Sequence, residues 1–162
     1  MISKQSYWRI EKMSEDLTVK MNAGKLNIRV AAWIVHDDNL LVSQFPDGTI
    51  SLPGGRVQLR ETSIEAIERE ILEETGVLLG TPKLFAVIEN FFLDKDYFHE
   101  MLFIYRGQIP IQSTYNGQDS SSQKISWIPL TQVNELKPDI LIEISQIVEI
   151  EKLHHFTNIE AR

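Results

Sequence analysis

The chain has 162 residues (18.7 kDa), a formal charge of −7, 43% apolar residues and no cysteine. Disulfide and thiolate chemistry are excluded, and the lack of clustered Lys and Arg excludes a protein that coats a nucleic acid polymer. The opening MISKQSYWRIEK lacks the apolar run of a signal peptide, and no stretch approaches the roughly 20 apolar residues of a membrane span, so one cytoplasmic domain with no membrane partner is expected.

In chain order, LTVKM (17–21), the turn Asn22-Ala23-Gly24 and LNIRVAAWIV (26–35) read as a β-hairpin. Asp37-Asp38-Asn39 turns the chain into a short strand, LLVSQ (40–44), and Pro46-Asp47-Gly48 turns it again. A helix is predicted over 63–75. Thr62 and Glu65 supply a capping box at its start, and Gly76 suits the left-handed residue that ends it. Residues 83–92 and 98–108 read as two long strands joined by LDKDY (93–97). A polar loop spans 109–123, KISWIPL reads as the last strand, and 140–153 as a closing helix, although its isoleucines leave a strand open. Strands, helix, strands, helix predicts an α/β or α+β architecture around a mixed sheet.

The predicted helix carries the chemistry. At about 100° per residue, Ile64, Ile67 and Ile71 form a core stripe, and Glu70, Glu73 and Glu74 at i, i+3 and i+4 share a face beside it. Glu65, Glu68 and Arg69 fall on the far side. Like charges so spaced destabilise a helix by about 0.2–0.5 kcal/mol per pair, more at the edge of a core. Three carboxylates with no basic neighbour on their face call for a cation, and oxygen ligands suit Mg²⁺ or Mn²⁺. The plain alternative is an ordinary acidic amphipathic helix.

Gly55, Glu61, Arg69, Glu70, Ile71, Glu73, Glu74, Gly76 and Val77 occupy every defined position of Gly-x5-Glu-x7-Arg-Glu-U-x-Glu-Glu-x-Gly-U, where U is a bulky aliphatic residue. In this segment the chain resembles the Nudix hydrolase family. The likeness extends loosely over residues 26–137, through Leu52-Pro53-Gly54-Gly55 and Trp127-Ile128-Pro129-Leu130. It implies an α/β/α sandwich around a mixed β-sheet, with the box as loop–helix–loop. It also implies metal ligation by Glu70, Glu73, Glu74 and the Gly55 carbonyl, and an ion pair of Glu61 with Arg69 bracing the motif. The activity implied is metal-dependent attack of water on a nucleoside diphosphate linked to another group, with Glu70 the first candidate for the base. A family-like sensor that binds its nucleotide without cleaving it, and an acidic interaction surface, are the rival readings.

Outside the box, Glu89, Glu100 and Asp119 are candidates for a further ligand, base or substrate contact. Alternation sends His99 and Glu100 to opposite sides of their strand, so at most one faces the site. For Glu89 the plain reading is pairing with a neighbour such as Arg106. Arg29 and Arg56 are candidate phosphate contacts. Trp33 and Phe103 read as core, whereas Trp8, Phe45, Tyr97 and Tyr115 are candidates for stacking on a base. Residues 1–25 precede the expected domain and suit a homodimer contact or part of the substrate pocket, and 138–162 are expected to be a helical segment. Phe92 stands where a proline would suggest ADP-ribose, and Tyr97 does not align well with the tyrosine that suggests diadenosine polyphosphates. A nucleoside triphosphate or a nucleotide sugar is therefore the expected substrate.

Overall fold

A computed structural model describes residues 15–118 and 122–160. Among the described residues, β-branched and aromatic side chains build ten strands. β1 (Thr18–Met21), β2 (Gly24–Trp33), β3 (Val35–His36), β4 (Asn39–Gln44), β5 (Ile50–Ser51) and β6 (Gly54–Arg56) precede the helix α1 (Ser63–Thr75). β7 (Gly80–Leu93), β8 (Tyr97–Gln108), β9 (Lys124–Pro129), α2 (Ile140–Ile144) and β10 (His154–Ile159) follow it.

The larger sheet has the order β1-β2-β8-β7-β10, with β6 also pairing β2. β2 runs parallel to β8 and β10 parallel to β7, while β1, β6 and the β7–β8 pair are antiparallel, so the sheet is mixed. The smaller sheet joins β3, β4, β5 and β9. Strand alternation divides the core in two. Val30 and Ala32 of β2 turn towards Ala66, Ile67 and Ile71 of α1, and Ala31 and Trp33 turn towards Leu40, Val42, Leu141 and Ile144. A sheet covered on one side by α1 and on the other by the smaller sheet and α2 is the sandwich that the motif implied.

α1 begins and ends where its capping residues dictate. The Thr62 hydroxyl accepts from the Glu65 amide at 3.2 Å, and the Glu65 carboxylate accepts from the Thr62 amide at 2.9 Å. Gly76 closes the helix at φ 76°, a conformation that a side chain disfavours. Thr62→Ala is therefore expected to cost about 1 kcal/mol, read as a lower urea midpoint at unchanged m-value.

Three expectations are corrected. Ile64 is 40% exposed, so the buried stripe is Ala66, Ile67 and Ile71, rotated towards β2. KISWIPL is not the last strand, and 138–162 is not a helical segment. α2 stops after five residues, and residues 154–159 form β10, alternately half-buried and exposed against β7. The isoleucines of 140–153 satisfied two periodicities at once, and the pairing partner of β10 lies more than sixty residues upstream, beyond the reach of local patterning. Part of the expected 1–25 extension belongs to the sheet as β1, and residues 15–17 bridge to the loop at 57–59. Trp8 lies outside the described residues. Among the described residues no helix is long and apolar enough to cross a membrane.

Candidate metal and phosphate site

β6 and α1 bring the box together by close approach. Gly55 pairs with Val30, and a Cβ at Gly55 would run into the carboxyl carbon and both oxygens of Glu70. The glycine thus leaves a recess that the Glu70 carboxylate fills. Gly55→Ala is expected to displace that carboxylate and to lower kcat by about a hundredfold if the chain is a hydrolase, the usual effect of a misplacement near 1 Å. A circular dichroism spectrum like that of the unaltered chain would separate this from unfolding.

Arg69 is the main surprise. Its position on a helical wheel put it on the solvated side, but the side chain is largely buried and reaches back over the acidic face. Nε donates to Glu61 Oε1 at 2.7 Å, and Nη2 to Glu61 Oε2 and to the Arg56 carbonyl, each at 3.0 Å. Nη1 donates to Glu70 at 2.7 Å and to Glu73 at 3.1 Å. The face therefore has a basic neighbour, supplied by a long stem that spans i+1 and i+4 at once. The other Glu61 contact is the Gln58 amide at 2.9 Å, so the ion pair ties the loop at 56–61 to α1. These bonds hold Arg69 more firmly protonated than usual, Glu61 foremost.

Burial pushes the Glu70 carboxyl above the usual carboxylate range. The Arg69 hydrogen bond and charge oppose this, the Glu73 charge adds to it, and Arg29 opposes it again. Glu73 is the most open of the three carboxylates. Glu74 is 5% exposed and held at both oxygens, by the Gly54 amide at 3.1 Å and by the Gln123 side-chain amide at 2.5 Å. Gln123 was missed in the sequence. It comes from the 109–123 loop, whose Gly117 packs directly on the Glu73 and Glu74 backbone.

Hard oxygen donors on one helix face, and a glycine recess shaped for one of them, fit Mg²⁺ or Mn²⁺ in chemistry. Among the described residues, no three carboxylate or imidazole groups already converge as a metal-binding set. Arg69 Nη1 bridges Glu70 and Glu73, while Gly54 and Gln123 hold the two oxygens of Glu74.

Of the candidates outside the box, Arg29 lies closest to this centre electrostatically, with Nη1 3.9 Å from Glu100 Oε2. Arg56 pairs with Asp16 at 3.4 Å. Glu89 pairs with His155 at 3.3 Å rather than with Arg106, because the register sets Arg106 opposite Lys83. Glu89 and Glu100 face opposite sides of the sheet. Tyr115 is buried and its hydroxyl donates to the Pro110 carbonyl at 3.1 Å, so it offers no stacking surface, whereas Phe45 and Tyr97 are exposed. Trp33 is core on the side away from α1, and Phe103 packs against the other core cluster, on the α1 side of the sheet. Asp119 lies outside the described residues.

The NUDIX domain family profile matches residues 25–148. A MutT-like protein of Streptomyces ambofaciens is 35% identical over 66 residues, covering 40% of this chain and 43% of the relative. The mouse 8-oxo-dGDP phosphatase NUDT18 is 28% identical over 115 residues, covering 68% of this chain and 34% of the relative. The chain thus spans less than half the length of these relatives. A MutT NUDIX hydrolase of Burkholderia pseudomallei superposes with a TM-score of 0.61 at 23% identity, over 76% of this chain and 98% of that one, a likeness of fold.

Proposed function

The chain belongs to the NUDIX domain family, and from that premise we propose that it is a metal-dependent hydrolase of a nucleoside diphosphate linked to a further group. The observation that carries this reading is Glu70, a carboxylate pressed into the Gly55 recess beside Glu73 and Glu74. A divalent cation bound on that face supplies positive charge to the diphosphate oxygens and makes water a better nucleophile at neutral pH. Glu70, Glu73, Glu74 and the Gly55 carbonyl would hold it, with Asp119 as a further ligand.

The chain's own residues do the rest. Arg69 fixes Glu61, Glu70 and Glu73 relative to one another. Arg29, whose charge reaches Glu70, would receive phosphate oxygens, and Arg56 would join it on release from Asp16. Glu70 takes a proton from the attacking water. Burial already moves it in the direction that strengthens a carboxylate base. Water oxygen bonds to phosphorus, the bond from that phosphorus to the bridging oxygen breaks, and the departing phosphate carries the electron pair. A nucleoside triphosphate or a nucleotide sugar is the proposed substrate, and the absence of cysteine suits a cytoplasmic location.

The test is chromatographic detection of the hydrolysis products of canonical and oxidised nucleoside triphosphates, nucleoside diphosphates, ADP-ribose, dinucleoside polyphosphates and sugar nucleotides. Each is assayed with Mg²⁺, with Mn²⁺ and with EDTA. Turnover of one class that stops in EDTA is the expected result. Metal binding with every compound left intact would replace the hydrolase by a nucleotide-binding sensor.

A further inference from the structure

Four strands of the larger sheet place polar side chains in one row on the face away from α1. Asn27 of β2 is paired with Glu100 of β8, Glu100 with Asn90 of β7, and Asn90 with Asn158 of β10. Asn158 Nδ2 donates to Asn90 Oδ1 at 2.7 Å, and Asn90 Nδ2 donates to Glu100 Oε1 at 3.3 Å. The chain of donors ends there. Glu100 Oε2 and Asn27 Oδ1 are buried without a hydrogen-bond partner, on residues only 4% and 3% exposed. Each such acceptor costs about 1–3 kcal/mol when left unmet, and a fold that only needed packing would fill these positions with apolar residues.

The surroundings suit a flat heterocycle. One pleat outward lies an aromatic row, in which Phe98 and Phe92 stack with centroids 4.8 Å apart and Lys25 stands over Phe98 at 5.3 Å. A cavity of about 350 Å³ lined by Lys25, Phe92, Tyr97, Phe98 and Ile159 opens at that end of the sheet. One pleat the other way along β2 stands Arg29, whose charge reaches both Glu100 and Glu70. Base, ribose and diphosphate laid along β2 would run from the polar row past Arg29 to the acidic helix.

We propose that the Asn27–Glu100–Asn90–Asn158 row is a nucleobase subsite selective for guanine, an inference that rests on the nucleotide-hydrolase reading above. Two adjacent acceptors without a hydrogen bond, one of them a carboxylate oxygen with Arg29 only at ion-pair distance, match an edge with two adjacent donors. Guanine presents N1–H and N2–H together on its Watson–Crick edge. Adenine and cytosine each set one donor beside a ring acceptor, and uracil flanks its single N–H with two carbonyls. Reaching the row requires its partly buried border, Arg29, Phe92 and Phe98, to give way. The base then stacks on the phenylalanines, as flat bases do on aromatic side chains.

Equilibrium binding of GMP, AMP, CMP and UMP in EDTA, by titration calorimetry, reads the subsite without any turnover. GMP is expected to bind roughly ten- to a hundredfold more tightly than the other three. In Glu100→Gln, whose amide offers one donor beside one acceptor, that advantage is expected to vanish and AMP to gain. Asn27→Ala, which leaves Glu100 and its Asn90 contact in place, should also narrow it. Equal binding of the four nucleotides, or an equal weakening of all four in Glu100→Gln, overturns the proposal. Guanine preference without metal-dependent turnover of any nucleotide keeps the subsite and removes the hydrolase. Turnover without base preference does the reverse.

Discussion

Replacing Glu70 with Gln is expected to lower kcat by about 10²–10⁴-fold, the share that a positioned base contributes to such a reaction. The same change should leave the metal-free chain as stable as before, or more so, at neutral pH. Burial raises the Glu70 pKa in the folded chain, so folding favours the protonated form. The stability linked to that proton is fully present below the unfolded value of 4.5 and is lost as pH rises through the higher folded value. At pH 7 an ionised Glu70 is therefore a load on the fold, which glutamine removes while still accepting from Arg69. Melting curves in EDTA at pH 7 and pH 4 check this: the advantage of the variant should shrink towards pH 4. Mg²⁺ should raise the melting temperature of the unaltered chain and raise that of the variant less. A variant that melts lower than the unaltered chain at pH 7, and turns over at an unchanged rate, would remove Glu70 from both roles.

Arg69→Ala should produce the largest loss of stability of any single change in the motif. The guanidinium joins Glu61, Glu70 and Glu73, and the first two side chains are mostly buried. Deleting the partner of a buried ion pair costs about 3–5 kcal/mol, because the remaining carboxylates stay desolvated with nothing to balance them. Urea unfolding in EDTA reads the effect. Adding Mg²⁺ should restore part of the loss, since a cation can replace the missing charge. Arg69→Lys should restore less than its charge suggests, because an ammonium cannot bridge Glu61 through two nitrogens while reaching Glu70 with a third. A loss below 1 kcal/mol in Arg69→Ala would mean that the cluster is solvated and the network weak.

The helix was readable to the residue because its signals are local: Thr62, Glu65 and Gly76 lie within one turn of its ends. The sandwich followed from the motif and from strand alternation. What stayed hidden depends on distance. A helical wheel records where the Cα of Arg69 points, but not how far five bonds of side chain can carry a charge. Gln123 holds Glu74 across 49 residues, and nothing in the loop composition marks that glutamine. The polar row is assembled from positions 27, 90, 100 and 158, ordinary residues until the register sets them side by side. The strand at 154–159 failed for the same reason, its partner being β7.

The position of β8 has a consequence for how the chain is made. It is synthesised after β2 and β7 yet lies between them, parallel to the one and antiparallel to the other. As residues emerge from a ribosome, each residue of β2 waits 73 residues for its β8 partner, from Lys25 to Phe98 at one end and from Trp33 to Arg106 at the other. During that interval α1 emerges, and the partners of its apolar stripe and of Glu70, Val30 and Ala32 of β2 and Gly55 of β6, have already been made. Pairings so remote close slowly. The acidic helix can thus seat on β2 and β6 before β8 completes the sheet, a window in which a divalent cation would meet the motif ahead of the finished fold.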